Sequence, residues 1–242
     1  MKKLLALVMV LCLALSFTAC GSDKKGEGVM THAEYVEASV DSAVVIETYV
    51  QAKQSWWDNK ATVYTQDKDG AYFLYEMACS EEDYAKLVPG TKIKVTGYKS
   101  EWAGEVEIVD ATFEIEKGSY VAPAYDATSI VNSENALANH QNEKVAFKGM
   151  TIEEVNPEHE AFMYGWDGSG SHDSNSDLYF VASVDSQVGT FVSFTVESYL
   201  CDNNSDVYKA VENLKVGDKV DMEGFLYWYE GVNPHITSVT VK

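Results

Sequence analysis

The residues that could take part in catalysis do not form a recognisable set. Five histidines are spread along the chain, and none lies in an HExxH helix or near cysteines spaced for a metal. His172 and Asp173 make the best local pair, but the polar residues around them are typical of a solvated loop. Carboxylates are so numerous that any two could be named as an acid and a base. We therefore expect a protein that is not an enzyme and uses no cofactor.

A second group of candidates is a loop rich in oxygen atoms. Its possible ligands are Asp167, Asp173, Asn175 and Asp177, with spacing similar to that of a calcium-binding loop. The EF-hand pattern fails, because Leu178 stands where that pattern needs a glycine. We expect a mobile polar loop here and no metal site.

The other candidate residues, which are aromatic residues and two cysteines, occupy related positions in an internal repeat. Residues 89–98 (PGTKIKVTGY) and 216–225 (VGDKVDMEGF) share two glycines, a lysine, two apolar positions and a final aromatic residue at the same spacing. The same offset of 127 residues aligns Gly104 with Gly231, and each has a tryptophan shortly before it. The repeat predicts two copies of one structural unit.

Each copy of the repeat has five strand-like segments, with a helical segment between the third and the fourth. Alternation of apolar and polar residues is clear at Ile93 and Val95, which stand between lysines and threonines. In the last strand of the first copy, 105–115, the alternation slips by one residue. This slip predicts a bulge that bends the strand, as closure of a small barrel requires.

This order of strands and helix resembles the OB-fold. The segment 142–149 (NEKVAFKG) follows a short helix and resembles the opening of OB domains in exported bacterial lipoproteins and in modules of secreted hydrolases. We predict an all-β chain with two tandem OB-fold-like five-stranded barrels and short helices, and a single β-sandwich is the alternative. The resemblance implies a habit of binding polymers in a groove, and it implies no reaction.

The domain limits follow from where the periodic patterns stop. We predict one OB-fold-like domain at 33–117 and a second at 127–242, with a long insertion at 156–177. Between them, residues 118–126 contain a glycine and a proline and lose the alternation, which is typical of a linker. The sequence thus predicts two structural units in series.

Two cysteines occupy equivalent positions in the repeat. Cys79 and Cys201 each end a strand-like run just before a helical segment. Export would favour a disulfide between them, whereas equivalent sites in separate barrels are often too far apart for one. The sequence leaves both possibilities open.

Aromatic residues mark two kinds of loop in each copy: the loop after strand one and the loop between strands four and five. In an OB barrel these loops flank the binding face. The ligand-binding candidates are Trp56, Trp57, Trp102, Tyr98, Trp166, Trp228, Tyr227 and Tyr229. The alternative is that these rings close the ends of the barrels as core residues, and their exposure separates the two hypotheses.

The charge of the chain argues against a nucleic-acid partner. Eighteen basic residues, all of them lysine, stand against 38 acidic residues, which gives a net charge of −20. Phosphate-backbone binding depends on clustered Lys and Arg, and arginine also makes the bidentate contacts to guanine. Both contributions are missing from this sequence.

The first 20 residues have the features of an export signal: two lysines, an apolar stretch and small residues before Cys20. The ending Phe17–Cys20 resembles the bacterial lipobox and departs from it at Phe17, where an aliphatic residue is usual. The resemblance implies that Cys20 is lipidated. The polar, glycine-rich composition after it predicts a flexible tether at 21–32. We expect an exported protein, anchored in the bacterial cell membrane and facing outside the cytoplasm.

Three hypotheses for the function follow. The first is a non-catalytic surface lipoprotein that binds an extracellular polymer, either polysaccharide or peptide, through loop aromatics. The second is a structural or assembly component that binds a protein partner. The third is a nucleic-acid-binding OB protein, which stacking on aromatic rings would support and the charge opposes.

Overall fold

The structure is a computed structural model that describes residues 25–184 and 192–242. The export signal, Cys20 and the first part of the predicted tether lie outside the described residues. Within these ranges no helix has the length and hydrophobicity that a membrane crossing needs.

Twelve strands and four α-helices make up the described chain. The strands of the first half are β1 (Ala43–Lys53), β2 (Lys60–Gln66), β3 (Ala71–Ala78), β4 (Thr91–Trp102) and β5 (Glu105–Ser119). Those of the second half are β6 (Tyr125–Asp126), β7 (Lys144–Glu153), β8 (Phe162–Tyr164), β9 (Leu178–Ser183), β10 (Val192–Val196), β11 (Lys219–Phe225) and β12 (His235–Val241). The helices are α1 (His32–Glu37), α2 (Glu81–Lys86), α3 (Glu134–Leu137) and α4 (Asp206–Glu212). Two 3-10 turns, Thr128–Ile130 and Ala138–His140, flank α3.

The strands form two closed barrels of the same topology. Barrel 1 has the order β1-β2-β3-β5-β4 and closes through the pairing of β4 with β1. Barrel 2 has the order β7-β9-β10-β12-β11 and closes through the pairing of β11 with β7. In each barrel the third and fifth strands run parallel, and the other pairs are antiparallel. The prediction of two OB-fold-like five-stranded barrels is confirmed, and the β-sandwich alternative is wrong.

Two short strands lie outside the barrels. In the segment 118–126, β5 continues to Ser119 and β6 pairs in parallel with β7. The side-chain amide of Gln51 binds the same segment, since its Oε1 accepts a hydrogen bond from Ala122 N at 2.9 Å. In the insertion, β8 extends the sheet beside β9.

The repeated glycines have a steric reason. At Gly97 in β4, a Cβ atom would lie 2.7 Å from Ile108 Cγ2 and 2.9 Å from Val109 O. At the equivalent Gly224 in β11, it would lie 2.1 Å from His235 O. The fourth and fifth strands of each barrel approach so closely at this point that only glycine fits.

The predicted bulge in the last strand of barrel 1 is confirmed. The pairing of β4 with β5 moves from Thr96↔Thr112 to Tyr98↔Val109, so β5 holds one extra residue. Asp110 in this stretch has a φ of 49°. The bulge explains why the alternation of apolar residues slips there, because the extra residue exchanges the two faces of the strand.

Short helices connect the strands and begin at residues that cap them. Thr31 and Glu34 form a reciprocal capping box at α1. Ser80 and Ser205 each accept a hydrogen bond from the third backbone N–H of the helix that follows, α2 and α4. These caps fix the equivalent helices between the third and fourth strands of the two barrels.

Each barrel encloses its own apolar core. The core of barrel 1 includes Ile46, Val63, Leu74, Ile93, Val95 and Ile108. The core of barrel 2 includes Phe147, Met150, Phe180, Phe194, Met222 and Ile236. Alternating side chains of the strands point inward, so the opposite set of side chains forms the outer faces from which a site can be built.

We predict that Val95→Asp unfolds barrel 1. Val95 is fully buried, and an unpaired carboxylate in an apolar interior costs several kcal/mol. Thermal unfolding followed by circular dichroism measures the loss. Thr96→Asp, at the neighbouring exposed position of the same strand, is the matched control and should leave the melting temperature almost unchanged. Equal melting of both variants and the wild type would contradict this account of the core.

Candidate functional site

The two barrels are joined by stacked rings. Tyr64 in β2 stacks on Phe225 at the end of β11, with ring centroids 4.5 Å apart, and its hydroxyl lies 2.7 Å from His235 Nδ1. Phe73 in β3 packs edge-on against Tyr227 at 5.3 Å. Burial lowers the pKa of His235 to about 3, so its ring is neutral. Apolar contact, together with neutral hydrogen bonds such as that of Tyr64 with His235, thus holds the outer face of β2 and β3 against barrel 2.

A buried glutamate, Glu105, forms a second set of contacts between the barrels. Glu105, at the start of β5, is fully buried, and its Oε2 accepts hydrogen bonds from Trp228 N at 2.9 Å and Gln141 Nε2 at 3.4 Å. The neighbouring backbone contributes as well, because Glu230 N donates to Ala103 O at 2.7 Å. The turn between β4 and β5 is therefore bound to the corresponding loop of barrel 2.

These contacts decide which surfaces remain for a ligand. The outer face of strands two and three is the usual binding face of an OB barrel. In barrel 1, Tyr64 and Phe73 lie on this face and pack against barrel 2, so barrel 2 covers much of the face. The far ends of β2 and β3 stay open, and there the two barrels form a cleft.

The cleft has a volume of about 510 Å³ and is lined by both barrels. Its lining residues are Gln54, Ser55, Trp57, Thr62, Tyr75, Glu76, Glu197 and Tyr199. Three aromatic side chains present exposed rings: Trp57 is 55 % exposed, Tyr75 43 % and Tyr199 65 %. The size falls in the range of small-molecule sites, and the exposed rings provide apolar surface for a ligand.

The loop between β1 and β2 places one of these rings. Trp56 is half-buried and donates from Nε1 to Cys79 O at 2.9 Å, which ties the loop to barrel 1. Trp57 and Lys60 pair across a turn in which Asp58 and Asn59 have φ values of 47° and 58°. The turn directs the second tryptophan of the pair toward solvent while the first one anchors the loop.

Barrel 2 provides the opposite wall. Ser55 N donates to Tyr199 O at 2.7 Å, so the loop that carries Trp57 is bound to the segment after β10. Gln54 Nε2 donates to Glu197 Oε2 at 3.1 Å across the same gap. These bonds fix the distance between the two walls.

Carboxylates lie among the rings. Glu76 Oε2 binds Lys60 Nζ at 2.6 Å. Burial, with the charge of Glu76 in addition, raises the pKa of Glu107 to about 7. Burial and the nearby Asp177 raise the pKa of Glu197 to about 7 as well. Near neutral pH, Glu197 in the wall of the cleft and Glu107 beside Glu76 therefore change between the protonated and the ionised form.

A second pair of exposed rings lies where the loops between strands four and five meet. Trp102 and Tyr229 are in contact, with centroids 5.1 Å apart. Burial raises the pKa of Tyr179 to about 12, and Asp177, Glu197 and Tyr229 contribute to that shift. Tyr179 therefore lies within electrostatic range of Glu197, which lines the cleft, and of Tyr229 in the second ring pair.

Four of the predicted ligand-binding residues lie elsewhere. Trp228 is only 8 % exposed and belongs to the core of barrel 2, so the prediction of a surface ring is wrong at this position. Tyr227 is half-buried between Phe73 and His235 in the contact between the barrels. Trp166 in the insertion and Tyr98 on β4 are exposed but do not line the cleft.

Sequence reasoning identified only Trp57 among the eight residues that line the cleft. Tyr75 and Glu76 in β3, and Glu197 and Tyr199 after β10, carry no motif. The alternation in β3 does place Tyr75 on the outer face, since Leu74 is in the core. Only the packing of the barrels shows which outer residues come together.

Side-chain oxygens of the oxygen-rich loop accept hydrogen bonds from backbone N–H groups of the same chain. Asp177 Oδ1 accepts from Ser198 N at 2.8 Å, and Asn175 Oδ1 accepts from Asn203 N at 2.7 Å. Asp167 Oδ1 accepts from Ser169 N at 3.0 Å. His172, which was expected to be solvated, lies 2.7 Å from Glu212 Oε1. Over the described ranges no three His, Cys, Asp or Glu side chains are grouped so that they could bind a metal ion.

The two cysteines of the repeat are not bonded to each other. Cys79 is buried in barrel 1, and Cys201 is partly buried in barrel 2, and both thiols are free. Burial raises the pKa of Cys79 to about 11 and that of Cys201 to about 12. Both behave as small core residues.

No protein-family model and no curated protein matches the sequence. Solved structures with a similar arrangement include a murine DNA-binding protein bound with double-stranded DNA. It is 9 % identical, with 82 % of this chain and 94 % of that chain covered and a TM-score of 0.39. A HINa domain in complex with 20-base-pair DNA is 10 % identical, with coverages of 83 % and 98 % and a TM-score of 0.36. The single-stranded DNA-binding protein from Thermus aquaticus, as a deletion mutant, is 11 % identical, with coverages of 83 % and 93 % and a TM-score of 0.28.

These comparisons correct one expectation. The charge and the missing arginine led us to argue against a nucleic-acid partner. The solved structures above are described as DNA-binding proteins, and two of them are DNA complexes. That expectation is therefore withdrawn, and nucleic acid is included among the ligands to be tested.

We predict that the stability of the protein falls as the pH rises from about 4.5 to about 8. Burial raises the pKa of Glu105 from 4.5 to about 8, so the folded chain holds a proton that the unfolded chain releases. Stability from this group is fully present below pH 4.5. It is lost as the pH rises toward and through the folded pKa, by at most about 1.4 kcal/mol per pH unit.

The measurement is the free energy of unfolding in urea at several pH values, for the wild type and for Glu105→Gln. The amide keeps an oxygen for Trp228 N and cannot ionise. The two proteins should be similarly stable at low pH, and the variant should be the more stable one at pH 8. Parallel pH profiles would show that Glu105 is not a buried acid.

Proposed function

We propose that this protein is a non-catalytic binding protein whose ligand lies in the cleft between the two barrels. The observation that carries the proposal is the group of exposed rings of Trp57, Tyr75 and Tyr199. Large aromatic side chains normally bury most of their surface. Three of them around one cavity provide a platform on which flat or apolar parts of a ligand can stack.

The hydrogen bonds between the two walls of the cleft support binding at a site that is formed before the ligand enters. Backbone and side-chain hydrogen bonds from Ser55 and Gln54 hold the walls at a fixed distance. The rings therefore need little rearrangement when a ligand enters, which lowers the entropic cost of association. The neighbouring pair Trp102 and Tyr229 gives room for an extended ligand.

Single-stranded nucleic acid is one ligand class that the exposed rings can serve, because every base has a flat face that stacks on an aromatic side chain. The carboxylates of the cleft repel phosphates. Binding of an oligonucleotide here would therefore strengthen with added salt, in contrast to ordinary DNA binders. An affinity that rises with salt would therefore indicate that the bases bind by stacking on the rings.

We also propose that lipidated Cys20 anchors the mature protein to a bacterial membrane. The proposal rests on the sequence around Cys20. Several acyl chains on one residue give stable anchoring, since each buried methylene contributes about 0.8 kcal/mol. Mass spectrometry of the membrane fraction should show an acylated N-terminal cysteine, and an unmodified N-terminus at another residue would exclude it.

We predict that Trp57→Ala and Tyr199→Ala abolish ligand binding and leave the fold intact. Both side chains are mostly exposed, so their removal costs little packing energy. Trp166→Ala is the matched control, because Trp166 is 77 % exposed and lies outside the cleft. Binding of oligothymidylate and of spermidine is followed by tryptophan fluorescence and by calorimetry.

At least one of the two probes should bind to the wild type and to Trp166→Ala, and fail to bind to the cleft variants. Circular dichroism should show the same melting temperature for all four proteins, within a few degrees. A ligand that binds all variants equally, or binds none of them, would remove the cleft from consideration as the site.

A further inference from the structure

We infer that the cleft binds its ligand through an ammonium group, held between the exposed rings and the carboxylates of Glu76, Glu107 and Glu197. This inference rests on the proposed function, and it names the chemical class of the ligand. It follows from the arrangement of one lysine, three carboxylates and the rings around them.

The protein already places an ammonium group in this environment. Lys60 Nζ lies 2.6 Å from Glu76 Oε2 and 5.5 Å from the centroid of the Trp57 ring. A cation within about 6 Å of an indole ring is attracted by the ring quadrupole, and tryptophan is the best of the aromatic partners. Glu76 and Trp57, which both line the cleft, therefore contact a primary ammonium through an ion pair and through a ring face. The position of Lys60 Nζ shows where such a group lies.

Glu107 is the second observation. The residue is 6 % exposed, and its carboxylate forms no hydrogen bond or ion pair within the described residues. Glu107 lies opposite Phe73 in the pairing of β5 with β3, and Tyr75 follows two positions further on the same face. The acid is thus buried beside the exposed ring of Tyr75 with its hydrogen-bonding capacity unused. A buried carboxylate without partners costs free energy that a donor from a ligand recovers.

Glu197 supplies an acceptor on the opposite wall. Its oxygens bind Gln54 Nε2 and Tyr199 N, which orient the carboxylate toward the gap between the barrels. Each carboxylate oxygen can accept a further hydrogen bond. An ammonium group with N–H donors is therefore served from both barrels, whereas a phosphate is repelled from both.

The closing experiment uses spermidine, a flexible amine with primary and secondary ammonium groups, and the full mature chain. Calorimetric titrations are made at a pH above the pKa values of Glu107 and Glu197, both about 7. Glu107→Gln should weaken spermidine binding by about tenfold, which corresponds to about 1.4 kcal/mol. Glu37→Gln, an exposed position on α1 with the same charge change, should leave the affinity within about twofold of the wild type.

A second variant tests the position that Lys60 occupies. Lys60→Met removes the internal ammonium, so spermidine should bind more tightly, by about fivefold to tenfold. Lys148→Met makes the same charge change at an exposed site on β7 and should leave the affinity nearly unchanged. Equal effects of both lysine variants, or of both glutamine variants, would mean unspecific attraction by a net charge of −20 and would overturn the inference.

The two proposals can fail separately. If oligothymidylate binds at Trp57 and spermidine does not, the cleft is a binding site and the ammonium inference is wrong. If neither probe binds in a way that depends on Trp57 or Tyr199, both proposals are wrong. If spermidine binds with the expected effects of Glu107→Gln and Lys60→Met, both are supported.

Discussion

The stacking of Tyr64 on Phe225 is the contact on which the rest of the molecule depends. It sets barrel 2 against the outer face of β2 and β3, and the hydroxyl of Tyr64 meets the neutral ring of His235. The loops that carry Trp57 and Tyr199 come within hydrogen-bonding distance because the barrels meet in this orientation. A change in this one contact would alter the width of the cleft before any residue of the cleft itself was changed.

The strand order and the barrel closure could be predicted from the sequence, because they follow from local patterns. Alternation identifies the strands, the slip in 105–115 identifies the bulge, and the repeated glycines identify the two copies of one unit. The cleft could not be predicted in this way. Tyr75 and Tyr199 belong to different copies, and only long-range packing brings them together. Periodicity shows that a side chain faces outward and does not show what covers it.

Trp228 illustrates the same limit at a single residue. Trp102 and Trp228 precede equivalent glycines in the repeat, yet one is exposed and the other is in a core. The difference comes from Glu105, which binds the N–H of Trp228, and from Gly104, where a Cβ would lie 3.0 Å from Trp228 Cδ1. An aromatic residue in a loop becomes a core residue when the partner barrel supplies a polar group and room beside it.

The ring contact between the barrels is asymmetric: the rings come from the second and third strands of barrel 1 and from the ends of the fourth and fifth strands of barrel 2. A head-to-tail contact of this kind does not close on itself. The offset that aligns Gly97 with Gly224 also aligns Tyr98 with Phe225, the ring that anchors barrel 2. Tyr98 is 49 % exposed, whereas Phe225, which stacks on Tyr64, is 3 % exposed. The exposed position of the repeat thus carries a tyrosine, whose hydroxyl tolerates water, and the covered position carries a phenylalanine.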